Sequence, residues 1–568
     1  MSSLEAPQRR EKSRATVATG LALLGIVALF LVGLGQASLF EPDEGRYAEI
    51  PREMLASGDW VTPRLNGVLY FEKPPLYYWL NAVAIAGWGL DETACRLWSA
   101  LLGLGGVGLA FVLGRSLKSP AAGLLAAAIL ATSPLYAAMA RINSIDMTLS
   151  FLIGATLTCF WLAHRLPRGR KRDLLWRTGA ACAALAVLAK GLVGLVLPGG
   201  VVFFYLLVTR GWSVVARVPW KSALSVFFLL AIPWHVVMAS RHPDFLWFYF
   251  VREHFLRYAT DDAARWQPVW FFPPVVLVGL LPWSGLLAGT VPLVRNRDPA
   301  SDQERRGVVF LALWAAVIVV FFSLSRSKLI PYVLPAFLPL AVLAALTIAN
   351  FSTLLRSWFL RWSLAVGGLL LASLGGAVGW ISLGHAPELL PAGVLPRLVP
   401  MLAGLVVVGG SVAGIAGWLR RRTLFVTAGL AAALAFHVCV LAAAPTVTRL
   451  RTTRELAGFL RQHLAAEDDV ASFDTYPQTL PVYLERRIDV VGYRGELTFG
   501  IAKLGPAERR RWYPTFEEFP SRWRGPQRIF LVIEDGSLDL LARSGVDPGP
   551  VLFREGPYLV FCNQPIAG

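Results

Sequence analysis

The run Glu41-Pro42-Asp43-Glu44-Gly45-Arg46-Tyr47 stands at the end of a membrane-length apolar stretch, and Tyr70-Phe71-Glu72-Lys73-Pro74-Pro75-Leu76-Tyr77-Tyr78-Trp79 follows in the same loop. Charges at a membrane face are costly unless they are used. Carboxylates mixed with cations suit the displacement of an anionic leaving group. Lys and Arg meet charge developing on a departing phosphate, and a carboxylate takes a proton from the attacking hydroxyl or orients the acceptor. Asp43, Glu44 and Asp146 are the candidate catalytic carboxylates. Arg46, Tyr47, Lys73, Arg257, Lys328 and Tyr332 are the candidates to hold a phosphate. Tyr77-Tyr78-Trp79 and the prolines suit the wall of a groove for a lipid chain, and equally an interfacial aromatic belt.

These residues need elements to carry them. The chain has 568 residues, 55% of them hydrophobic and 16% charged, with mean hydropathy +0.54. Apolar runs near 20 residues recur throughout, so the fold class is a polytopic α-helical membrane protein. The net charge of +17 does not indicate nucleic acid, because the basic residues sit in short loops between apolar runs. With the N-terminus in the cytoplasm, the basic loops at 115–118, 165–177, 210–221, 295–306, 356–361 and 420–422 share that side, as the positive-inside bias requires. Loop 40–95 is acidic by contrast, with nine Asp/Glu against four Lys/Arg.

The pattern predicts thirteen spans, at 16–39, 96–115, 120–139, 143–164, 175–190, 191–209, 221–239, 269–292, 307–325, 329–350, 360–382, 397–419 and 424–444. The first is too long for a signal-peptide core and has no small-residue cleavage site, so it is expected to remain as a span. The run 76–90 is too short to cross and is expected to lie on or dip into the outer face. The membrane domain then covers 1–444, with outer loops 40–95 and 240–268. Residues 445–568 form an extracytoplasmic α/β domain: an amphipathic helix at 449–467, then strands at 469–473, 487–491, 528–533 and 558–561. It contains no catalytic constellation and is expected to cover the membrane site. Of five cysteines, Cys95 and Cys562 alone fall outside the spans, the one pair placed for an external bridge.

Four polar groups converge on the outer side: Asp43/Glu44/Arg46/Tyr47; Glu72/Lys73; Arg141/Asn143/Asp146; and Arg252, Glu253, His254 and Arg257, joined by Arg326, Lys328 and Tyr332. Arg326 and Lys328 break the positive-inside bias, which suggests an anion held there. Each residue also has a simpler reading. Asp43 and Glu44 suit a helix N-terminus. Asp146 suits an ion pair with Arg141, Glu72–Lys73 a surface pair, and Lys190 before Gly191 a snorkelling lysine. His254 with Glu253 and Glu72 offers ligands to a divalent cation, but one histidine and loose carboxylates fall short of a metal signature, and a structural histidine is the simpler reading.

At these residues the sequence resembles a known family. The Glu41–Tyr47 and Phe71–Trp79 runs, Arg96-Leu97, Ala140-Arg141 with Asp146-Met147, and Leu188-Ala189-Lys190-Gly191 resemble the GT-C type membrane glycosyltransferases. Within them the chain is most similar to the lipid A aminoarabinose transferases, and next to bacterial protein O-mannosyltransferases. The resemblance is densest over 40–350 and reaches Tyr476-Pro-Gln-Thr-Leu-Pro-Val-Tyr-Leu in the tail. It implies a multi-pass enzyme of the bacterial inner membrane whose site faces the periplasm. The implied donor is a sugar on undecaprenyl phosphate, with 4-amino-4-deoxy-L-arabinose the best match, and the implied acceptor is lipid A phosphate. Asp43 and Asp146 match essential acidic positions, Lys73 and Arg257 match residues that hold the donor phosphate, and Tyr332 matches a tyrosine near the lipid pocket. Some relatives bind a metal through a glutamate matching Glu72 and nearby histidines; Arg252 stands where such a histidine is expected.

Two other readings stay open at this point. One keeps the fold and moves mannose from a polyprenyl phosphate to serine or threonine of exported protein, with Asp43 as general base. The other is a transporter or lipid flippase, against which the spans show no clear inverted repeat and the polar residues gather on one face.

Overall fold

The computed structural model describes residues 20, 23–256, 258, 266–296, 302–355, 357–384, 395–493 and 495–565. Among the described residues, eight helices have the length and apolarity of a full crossing: Glu92–Leu117, Ile145–Arg165, Trp220–Arg241, Asp302–Leu324, Ile330–Ala349, Trp358–Trp380, Leu398–Trp418 and Arg422–Arg449. The pair Val269–Gly279 and Trp283–Arg295, counted as one span, makes a ninth. The pair falls on the span expected at 269–292 and bends by 111° at the break. Pro282 in the break has no N–H to continue a helical ladder. The other four expected spans fall on Pro120–Ala131 with 12 residues, Arg170–Lys190 with a strongly basic first turn, Val193–Thr209 with 17 residues, and the run 16–39, helical over 23–31.

Large aromatic side chains fill the membrane core. Trp161, Trp283 and Trp314 are fully buried, and the indoles of Trp161 and Trp283 donate to Ser116 Oγ at 3.2 Å and Thr132 Oγ1 at 3.0 Å. The last three helices pack through small residues instead. A Cβ at Gly368 would lie 2.5 Å from Gly414 N, so these backbones touch as membrane helices commonly do.

Loop 40–95 folds into the Asp43–Ser57 helix, a hairpin pairing Arg64–Leu65 with Val68–Leu69, and the 13-residue Leu76–Trp88 helix at the expected short apolar run. Asn66 and Gly67 turn the hairpin with φ of +50° and +78°, the left-handed pair that a two-residue turn demands.

The C-terminal domain is a five-stranded sheet in the order Asp489–Val491, Asp469–Phe473, Ile529–Glu534, Tyr558–Cys562, Phe553–Glu555. The first three strands are parallel and the last two pair antiparallel. The edge strand Phe553–Glu555 is too short to show alternation and was not anticipated. The last membrane helix runs through Pro445 to Arg449, past the expected boundary at 444, and the amphipathic helix expected from 449 spans Arg454–His463. All five cysteines are free, so Cys95 and Cys562 make no bridge.

This domain is welded to the outer loop. Tyr47, Ile50, Met54, Leu65, Val68, Tyr70, Tyr77 and Tyr78 share one buried cluster with Leu456, Leu460, Val470, Leu480, Val490 and Leu497. Asn66 donates to Ile488 O at 2.9 Å and accepts from Ile488 N at 3.0 Å. Glu41 accepts from the backbone N–H groups of Gln478 at 2.9 Å and Thr479 at 2.7 Å.

Candidate active site

The Asp43–Ser57 helix sets the first carboxylates, and its terminus carries no side-chain cap bond. Asp43 keeps 57% of its side chain exposed and pairs with Arg46 at 3.3 Å. Glu44 is buried and spoken for. Its two oxygens accept from Arg96 Nε and Nη2, each at 2.7 Å, and from the backbone N–H groups of Asn143 at 2.7 Å and Phe40 at 2.9 Å. Arg96 spends its remaining donors on Leu34 O, Ala37 O and Ser38 O at 2.7–2.8 Å, so all five guanidinium N–H groups are used. Asn143 completes the knot: its Oδ1 accepts from Tyr77 Oη at 2.7 Å and Asn81 Nδ2 at 2.9 Å. The geometry makes Glu44 an anchor for the helix that carries Asp43, and a reacting group has no access to it.

Asp146 sits in the first turn of Ile145–Arg165, where Ser144 Oγ accepts from its backbone N–H at 3.2 Å. Its carboxylate is paired with Lys190, not with Arg141 as expected. Arg141 instead donates to the carbonyls of Leu29 at 2.8 Å, Phe30 at 3.2 Å and Val32 at 2.7 Å, closing the end of the first helix, where carbonyls lack helical partners. Lys190, expected to snorkel, is 14% exposed, and its Nζ stands 4.7 Å from the centroid of the Tyr332 ring.

Lys190 and Tyr332 line a cavity of about 500 Å³. Lys73, Glu72 and Glu253 share its polar wall, with Ser325 and Ser327; Val193, Val196, Phe321 and Phe322 form its apolar wall. Lys73 Nζ lies 4.0 Å from Glu72 and 3.9 Å from Glu253, and donates to Glu72 O at 2.9 Å. The cavity therefore combines two ammonium groups and two carboxylates with hydrocarbon walls, a lining suited to an amphiphilic ligand with a charged head.

Three candidates lie elsewhere than expected. Lys328 donates to Gln267 O at 2.8 Å and to Ser325 O; burial holds its amine below the usual lysine range, and it ties two loops together outside the cavity lining. Arg46 is buried under the C-terminal domain, 2.7 Å from Glu496 and donating to Gln478 Oε1 at 3.1 Å. Tyr47 packs edge-on against Tyr77 with ring centroids 5.5 Å apart. Burial first, and then the field of Asp43, push its hydroxyl far above the usual tyrosine range. Arg257 and the His254 side chain lie outside the described residues. Among the described residues no three His, Cys, Asp or Glu side chains come together as a metal site. Glu72 and Glu253 both face the Lys73 ammonium instead.

Sequence reasoning missed Lys190, Arg96 and Glu496 as members of the constellation. The first two carried a signal, a cation at the end of an apolar run where charge is expensive. Glu496 carried none.

The same architecture occurs in proteins of known activity. Residues 6–249 match the dolichyl-phosphate-mannose-protein mannosyltransferase family, and residues 456–563 match the aminoarabinose transferase C-terminal domain. The undecaprenyl phosphate-alpha-4-amino-4-deoxy-L-arabinose arabinosyl transferase of Pseudomonas aeruginosa (strain UCBPP-PA14) is 32% identical over 531 residues, covering 92% of each chain. The chain belongs to this family. It is a glycosyltransferase and a multi-pass inner-membrane protein. A second such transferase, from Sodalis glossinidius, is 36% identical over 329 residues, 57% of this chain and 59% of its own. The crystal structure of ArnT from Cupriavidus metallidurans bound to undecaprenyl phosphate superposes with a TM-score of 0.82 at 30% identity, covering 97% of this chain and 98% of that one. The archaeal oligosaccharyltransferase AglB from Archaeoglobus fulgidus shares the fold at 11% identity, with a TM-score of 0.50 and coverage of 93% and 70%.

Proposed function

We propose that this enzyme transfers 4-amino-4-deoxy-L-arabinose from undecaprenyl phosphate to a phosphate of lipid A at the periplasmic face of the inner membrane. The observation that carries this reading is the cavity lined by Lys73 and Lys190 together with Val193, Val196, Phe321 and Phe322. The donor phosphate sits between the two ammonium groups and its polyprenyl chain follows Val193, Val196, Phe321 and Phe322. An oxygen of the acceptor phosphate attacks the anomeric carbon. The bond from that carbon to the donor phosphate breaks, its electron pair leaves with undecaprenyl phosphate, and configuration inverts. The acceptor is already ionised, so no general base is required. Asp43, exposed and paired with Arg46, is assigned to steady positive charge that builds on the sugar as the bond breaks. Asp146 holds the Lys190 ammonium toward the leaving group. The outer position expected for loop 40–95 under the positive-inside bias supports the periplasmic assignment.

Mass spectrometry of lipid A from cells with and without the gene tests the reading. The aminoarabinose mass on lipid A is expected to vanish in the deletant and to return on complementation. Unchanged lipid A with altered exported glycoproteins would transfer the assignment to the protein O-mannosyltransferase reading, which the match over residues 6–249 favours.

A further inference from the structure

The polar wall of the cavity is assembled from three distant stretches of chain, Glu72-Lys73, Lys190 and Glu253. Glu72 and Lys73 lie in neither helix nor strand, and the two prolines after them have no N–H to tie the backbone down. Their position depends on the side chain before them. That residue, Phe71, is 2% exposed and packs near the rings of Phe245 and Phe248, with centroids 5.6 Å and 6.3 Å away. Phe248 belongs to the π-helix Trp247–Leu256, and Glu253 stands about one turn further along it. Leu188, two residues before Lys190, joins the same buried cluster. One apolar cluster therefore backs all three parts of the charged wall.

Among the described residues, the C-terminal domain supplies this cluster with one side chain, Phe499. It rides on the short helix Thr498–Ile501 and is half-buried. Its ring centroid lies 5.3 Å from that of Phe71 and 4.2 Å from that of Phe248. A single ring thus bridges the segment that carries Lys73 and the helix that carries Glu253. Ring pairs at such distances attract beyond the area they bury. The backbone beneath the ring is seated on the outer-loop hairpin: a Cβ at Gly500 would come within 2.6 Å of Leu69 O, a close approach that needs glycine. Lys503 pairs with Asp244 nearby, but both side chains are exposed, and such a pair contributes little. The ring is what couples the C-terminal domain to the cavity wall.

We propose that Phe499 is a positioning residue for the donor phosphate: through this ring the C-terminal domain holds the Lys73 segment and the Glu253 helix together, so that the Lys73 ammonium meets the phosphate. The inference rests on the transfer reading above for the identity of the donor, and binding without turnover tests it separately. Native mass spectrometry of the purified full chain compares retention of undecaprenyl phosphate with that of undecaprenol, which has the same tail and no phosphate. The wild type is expected to prefer the phosphate. Phe499→Ala and Phe248→Ala should each cut that preference by about tenfold and leave undecaprenol binding unchanged. The double variant should lose no more than the worse single, because side chains in contact do not act additively. Phe499→Leu, which keeps apolar volume, should fall in between, and Lys503→Ala should bind as the wild type does. In steady-state kinetics the same losses should appear in the donor KM at unchanged acceptor KM. Equal loss of both ligands in Phe499→Ala and Phe499→Leu would make the ring a general structural prop and overturn the proposal. Additive losses in the double variant, or an effect of Lys503→Ala as large as that of Phe499→Ala, would do the same. If the wild type prefers the phosphate through Phe499 yet transfers no aminoarabinose to lipid A, the transfer reading fails while the positioning role stands. A wild type with no preference for the phosphate would overturn the donor-cavity reading and this proposal with it.

Discussion

Asp43 and Asp146 are both aspartates at helix starts, yet their surroundings give them different sensitivities. Asp43 is mostly exposed and held by one ion pair, so Asp43→Asn removes charge with little structural cost. Turnover is expected to fall by about 10²–10³-fold, the scale of losing one preorganised electrostatic contact, with thermal stability within about 0.5 kcal/mol of the wild type. Transfer assays alongside detergent unfolding curves measure both; full turnover would leave Asp43 no role beyond its pair with Arg46. Asp146 and Lys190 are largely buried against each other, and removing either strands the other. Asp146→Asn and Lys190→Ala should each abolish measurable transfer and lower stability by about 3 kcal/mol. The double variant Asp146→Asn/Lys190→Met should regain most of the stability and none of the turnover. Recovered turnover in that double would show that the pair is architectural only.

The Asp43–Ser57 helix is pinned at both ends by buried charge. At its start Glu44 meets Arg96; at its end Arg52 grips Glu49 through two bonds of 2.6–2.7 Å, and Glu53 accepts from Gly67 N with both oxygens at 3.0 Å. Two carboxylates beside one arginine favour keeping a proton on one of them. Burial first, and then the charge of Glu49, push Glu53 up from its usual value to about 8. A carboxyl whose pKa is raised by folding stabilises the folded state fully at acid pH and loses that contribution as pH climbs through its folded value. Thermal unfolding scanned from pH 5 to 9 should therefore show a fall toward pH 9 in the wild type that Glu53→Gln reduces. Parallel curves for the two proteins would remove Glu53 from the account. Only the start of this helix was legible in the sequence, from Asp43 and Glu44 in its first turn, because such signals act within a turn of the chain.

At the scale of the molecule, the membrane domain and the C-terminal domain meet at Gly45. A Cβ there would come within 2.6 Å of the backbone at Gln478 and Thr479, so any side chain forces the two apart. Gly45→Ala is expected to slow transfer by about 10- to 100-fold, because displacing Asp43 and Arg46 by about 1 Å misaligns the reacting groups. It should also speed proteolytic release of the C-terminal domain. Unchanged turnover together with unchanged proteolysis would show that the joint does not position the site. Glu496 makes the link chemical as well as steric, since it holds Arg46 on the side away from Asp43.

The sequence by itself determined the membrane class and offered Asp43, Lys73 and Asp146 as site candidates, with loop 40–95 expected on the outer side. Those follow from the length of apolar runs, the bias of basic loops and the cost of charge in hydrocarbon, all of which are local in the chain. Only the tertiary structure decided which charge meets which. Lys190 reaches Asp146 from 44 residues away and Arg96 reaches Glu44 from 52, while Arg141, nearer to Asp146 in sequence, turns to the carbonyls of the first helix. The 111° angle of the break at Pro282 and the burial of Arg46 against Glu496 are equally invisible in the chain. Ion-pair choice depends on distance after folding, and in a bundle of helices that distance is set by which faces pack together, a property that no single segment carries.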